Sequence, residues 1–102
     1  MGTRIELQAV LEEILGSDHV YFQPPESIKL KYPAIVYSLL SIDTTKADDG
    51  KFLHWPHYRV QLISRDPDNK TVYDILKLQH CSYAGDRFVV DNLYHDNFDL
   101  YF

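Results

Sequence analysis

Tyr32-Pro33-Ala34-Ile35-Val36-Tyr37-Ser38-Leu39-Leu40 is apolar on both faces apart from Ser38, the pattern of a strand covered on both sides. His57 to Ser64 reads as a second strand, with Tyr58, Val60 and Leu62 on one face and Arg59 and Gln61 on the other. Together they predict an antiparallel hairpin whose tip is the segment from Ser41 to Leu53. That segment holds Asp43, Lys46, Asp48, Asp49, Gly50 and Lys51 and has neither helical nor strand periodicity. It is therefore expected to be a long acidic loop projecting from the sheet.

Toward the N-terminus, Thr3 followed by Glu6 fits a capping box. Leu7, Val10, Leu11, Ile14 and Leu15 recur at helical spacing, and Gly16 supplies a C-terminal cap, so an amphipathic helix is expected from Arg4 to Leu15. His19 to Gln23 reads as a short strand that Pro24-Pro25 stops, because neither proline donates to a ladder. Beyond the hairpin, Asp66-Pro67-Asp68-Asn69 is turn chemistry, and Val72, Ile75, Leu76 and Gln79 mark one face of a short helix. Phe88-Val89-Val90 begins a final strand pair that reverses at Asp91-Asn92, with Phe98, Leu100 and Phe102 on one face. The order of elements predicts one α+β domain over residues 1–102, a mainly antiparallel or mixed β-sheet with two helices packed on one face.

The chain has 102 residues, 45% of them hydrophobic and 25% charged, which suits a globular domain and not a disordered one. Its net charge of −5 leaves no global field to attract phosphates, so stable nucleic-acid binding is not expected. Eight Tyr and five Phe supply rings suited both to a core and to protein contacts. Cys81 is the one cysteine, which excludes an internal disulfide and fits a reducing compartment; neither a secretory leader nor a membrane span is read from the sequence.

Catalytic and metal chemistry find little support. His54, His57 and His95 are the best metal trio, but His54 and His57 are three apart and point to opposite faces of a strand. His80 is the direct neighbour of Cys81, so their side chains diverge and form no dyad. There is no phosphate-binding glycine loop, and the Asp43 to Asp49 stretch lacks the bidentate Glu of a calcium loop. The expectation is a non-enzyme with no cofactor and no metal.

Three blocks carry a resemblance: Val20-Tyr21-Phe22-Gln23-Pro24-Pro25-Glu26-Ser27, Tyr32-Pro33-Ala34-Ile35-Val36-Tyr37, and Asp91-Asn92-Leu93-Tyr94-His95-Asp96. In this order and rough spacing they resemble the small tail-completion, or tail terminator, proteins of long-tailed bacteriophages with non-contractile tails. The resemblance implies a structural virion protein, assembled in the bacterial host cytoplasm, that forms a hexameric ring on the head-proximal end of the tail tube. Such a ring stops tube polymerisation and meets the head-completion or connector proteins of the neck, while DNA passes through without specific binding.

The blocks carry over Gln23, Pro24, Pro25, Glu26, Tyr32, Pro33, Asp91, Asn92, Leu93, His95 and Asp96, several of which also fix turns. Asp43, Lys46, Asp48, Asp49 and Trp55 are added as candidates facing a neighbour or the ring lumen, with the three aspartates forming a negative inner wall. The stretch from Ser38 to Trp55 departs from the family pattern. Competing readings are another neck component, such as a head-closure or connector protein, and a small prophage-encoded cytoplasmic ligand-binding or regulatory module.

Overall fold

The structure, a computed structural model, describes residues 2–46, 50 and 52–102. The elements run α1 (Arg4–Leu15), β1 (Val20–Phe22), β2 (Ala34–Lys46), β3 (Phe52–Ser64), α2 (Thr71–Leu76), β4 (Cys81–Tyr83), β5 (Phe88–Val90) and β6 (Leu93–Tyr101). All the strands join one mixed sheet in the order β1-β2-β3-β6-β4, with β5 also paired to β6. β1 lies parallel to β2, and the other pairings are antiparallel.

α1 starts and stops where its caps dictate. The Thr3 hydroxyl accepts from the Glu6 backbone N–H at 3.2 Å, and Gly16 closes the helix in the left-handed region at φ 78°. Leu7 and Leu11 are fully buried on its inner face. α2 ends at Leu76, short of Gln79, and buries Val72 and Ile75; the Asn69 side chain accepts from the Thr71 N–H at 3.0 Å.

Both helices cover the same face of the sheet, because their buried residues join one cluster with Ile35, Tyr37, Tyr58, Val60, Leu62, Phe98 and Leu100. Strand register explains that set: Ile35 lies opposite Leu62, Tyr37 opposite Val60, Val60 opposite Phe98 and Tyr58 opposite Leu100. Alternation thus aims every one of them at the helices. Tyr37 ties the layers together, its hydroxyl donating to Gln8 Oε1 and accepting from Arg4 Nη1 at 3.3 Å.

Two expectations are corrected here. β2 is not covered on both sides, since Val36 and Ser38 are partly exposed on the face without helices. Nor is the segment from Ser41 to Leu53 a long loop: β2 runs on to Lys46 and β3 begins at Phe52, directly opposite it. Continuous cross-strand pairing, helped by the β-branched Ile42, Thr44 and Thr45, keeps the chain extended where neither face is buried. Asp48 and Asp49 lie outside the described residues.

Candidate functional site

The outer halves of β2 and β3 form an arm beyond the helices. From Leu39 to Lys46 and from Phe52 to His54 every residue is exposed. A register shift between Leu39 and Ser41 leaves Leu40 as an extra, bulged residue. The bulge resets the alternation, so that Ile42 pairs with Pro56 and stands on the same side of the sheet as Leu39. Leu39, Leu40, Ile42, Phe52 and Leu53 are all large, apolar and solvent-exposed, Phe52 by 60%.

A second apolar patch sits at the far end of the sheet. Phe88, Val89 and Val90 of β5 are exposed, and β5 pairs with the first residues of β6, which lie beside Ile63 and Ser64 at the end of β3 remote from Phe52. Asp91 and Asn92, at φ 54° and 63°, make the two-residue reversal between β5 and β6. His95 stacks on Phe88, with ring centroids 4.5 Å apart. Burial lowers the His95 pKa, against a smaller opposing pull from Asp96.

The helix-free face between these patches carries cross-strand polar pairs. Gln61 donates to Asn97 at 3.1 Å, and Arg59 Nε donates to Asp99 Oδ1 at 3.1 Å. His57 Nε2 also lies 3.1 Å from Asp99 Oδ1, while His57 Nδ1 is 3.5 Å from Ser41 Oγ. These are the residue types of a hydrolytic triad. Ser41, however, donates to Asp43 at 3.1 Å, Asp99 is shared with Arg59, and Ser41 is exposed on the arm. The arrangement is a ladder of cross-strand polar pairs and not an activated nucleophile. Burial, with a contribution from Asp99, pushes the Cys81 thiol up to about 11, which leaves it protonated at neutral pH.

At the root of the arm, Asp43 lies directly opposite Trp55. With Thr45, His80 and Tyr101 they line a recess of about 210 Å³. Sequence reading picked out Asp43 and Trp55 but missed His80 and Tyr101, whose approach depends on β6 pairing with β3 and β4. Trp55 meets His80 edge to face at 5.8 Å, and Tyr101 stacks on His57 at 4.5 Å. The neighbouring Asp43 carboxylate is the main cause of a raised Tyr101 pKa.

The residues of the three sequence blocks have largely structural positions. Gln23, at φ 42°, extends the β1–β2 pairing: its N–H donates to the Tyr37 carbonyl at 2.9 Å and its Oε1 accepts from the Leu39 N–H at 3.2 Å. Pro24 is partly buried, and Pro25 and Glu26 are exposed beyond the end of β1. Tyr32 is partly buried beneath the Arg65 guanidinium. Lys46 is exposed at the end of β2.

Asp96 corrects an expectation, for it is 1% exposed and offers no surface to a partner. It accepts from Arg87 Nε at 2.8 Å, from Arg87 Nη2 at 3.2 Å and from the Tyr83 hydroxyl. Arg87 also donates to the Pro67 carbonyl at 2.7 Å, so one buried carboxylate anchors the turn before α2 and the segment before β5 to the sheet. The signal was present in the sequence: Asp96 is in phase with Phe98 and Leu100, both fully buried.

Among the described residues, no group of three metal-ligating side chains converges, and no helix is long and apolar enough to cross a membrane. Compared with protein-family models and with curated proteins, the chain matches none.

Proposed function

We propose that this chain is a ring-forming structural subunit of a long-tailed phage, a tail terminator that caps the head-proximal end of the tail tube and joins it to the head-completion proteins. The observation that carries this reading is the pair of unlike apolar surfaces at opposite ends of the sheet, the arm and the β5 strand. Unlike surfaces at opposite ends suit head-to-tail contacts, and head-to-tail contacts that close generate rings. Exposed apolar area gathered in this way is a mark of interaction surfaces.

The three sequence blocks support the same reading in a particular manner. They supply scaffold: the Gln23 link between β1 and β2, the Asp91-Asn92 turn and the Asp96 anchor. The arm, which departs from the family pattern, supplies the surface peculiar to this chain. In this reading the protein performs no chemistry, and its activity is the geometry of its contacts.

Immunogold labelling of virions tests the assignment. Label confined to the head-proximal end of the tail is expected; label spread along the tail, or absent from the neck, overturns it. A small ligand-binding module is the second reading, favoured by the recess beside Asp43 and Trp55. A chain that stays monomeric at every concentration and never joins tail tubes is that module.

A further inference from the structure

Asp43 differs from the other carboxylates on the sheet in what balances it. Asp96 is held by Arg87, and Asp99 by Arg59 and His57. Among the described residues Asp43 forms no ion pair, and it accepts a hydrogen bond from the uncharged hydroxyl of Ser41 at 3.1 Å. Around it stand the rings of Trp55, Tyr101 and His80.

We propose that this recess binds the guanidinium group of an arginine side chain presented by a protein partner. Trp and Tyr faces attract a cation through their ring quadrupoles, Trp most strongly. A guanidinium adds a flat surface that stacks on aromatic rings and paired N–H donors that match a carboxylate, which a compact ammonium lacks. Two of the walls are already held in place, Trp55 against His80 and Tyr101 against His57, so binding loses little side-chain freedom.

The surroundings favour a side chain on a peptide over a free ion. The aromatic walls of Trp55 and Tyr101 set the ligand class. The recess shares Trp55, His80 and Tyr101 with an open groove of about 480 Å³ that continues past Leu78, Val10 and Phe102, room for the backbone flanking an arginine. The net charge of −5 steers basic partners toward the surface. The site does not depend on the ring reading, since any basic partner could use it.

Trp55 is the chain's one tryptophan, so its fluorescence reports the site directly. The probes are acetyl-Gly-Arg-Gly-amide and the same tripeptide with citrulline, a neutral isostere of arginine. The expected result is a saturable change in Trp55 emission with the arginine peptide, weakened about tenfold or more by citrulline or by Asp43→Asn. Trp55→Leu, followed by calorimetry and checked for native far-UV circular dichroism, is expected to lose binding. An equal response to both peptides, no saturable response, or full affinity in folded Asp43→Asn overturns the proposal.

Discussion

The two ends of the β2–β3 pair share strands and a cross-strand ladder, yet they are used differently. At the inner end, Ile35, Tyr37, Val60 and Leu62 lie beneath the helices with at most 1% exposure. At the outer end, Ile42 and Phe52 are 57% and 60% exposed on strands that are equally well paired. Backbone pairing satisfies the main-chain groups in both places, but only the inner end gains free energy by removing apolar surface from water. The base holds the fold, and the arm leaves its apolar area exposed to water; in the proposed ring that area is the contact surface.

The largest effect that can break this division lies in the base. Phe98→Ala removes a fully buried ring from the helix-covered face and is expected to cost about 4 kcal/mol in urea unfolding. Next is Arg87→Ala, which strips the cation from buried Asp96 and is expected to cost about 3 kcal/mol. Replacing both partners, as Arg87→Met with Asp96→Leu, should cost less than that single change, because no charge is then stranded. A double variant as unstable as the sum of its parts would show that the anchor acts through something besides charge pairing.

A smaller effect concerns pH. Because burial lowers the His95 pKa in the folded state, the unfolded chain takes up a proton more readily. The stability His95 confers is therefore complete above the ordinary histidine value of 6.5 and is lost as pH falls through the lower folded value. His95→Phe keeps a ring against Phe88 and should flatten that part of the pH dependence. Urea midpoints at about pH 8 and about pH 5, compared between variant and parent, check the sign. An unchanged difference between the two pH values counts against His95 as its source.

The same division explains which features were legible in the sequence. α1 was readable because its stripe, its Thr3 cap and its Gly16 stop are all local. The base strands were readable because one buried face imposes alternation on Tyr58, Val60 and Leu62. On the arm, no buried face exists to impose a pattern and the bulge at Leu40 shifts the phase, so Ser41 to Lys46 passed for a loop. The β-branched Ile42, Thr44 and Thr45 were the remaining clue. The parallel pairing of β1 and the pairing of three-residue β4 depend on partners distant in the chain, and no local pattern encodes them. The recess was half legible for the same reason: Asp43 and Trp55 are cross-strand neighbours, whereas Tyr101 and His80 arrive through β6 and β4.

The smallest expected change in stability accompanies the largest expected change in assembly. Ile42→Asp combined with Phe52→Asp alters side chains exposed on the arm, and each substitution should shift the unfolding free energy by no more than about 0.5 kcal/mol. If the arm is the contact surface of a ring that stops tube growth, two buried charges at that contact prevent its closure. Tail lengths measured by electron microscopy, in lysates whose chain carries both substitutions and melts like the parent, test this directly. The account predicts that the single tail length is lost and tubes grow without a fixed end; virions with tails of normal, uniform length would contradict it.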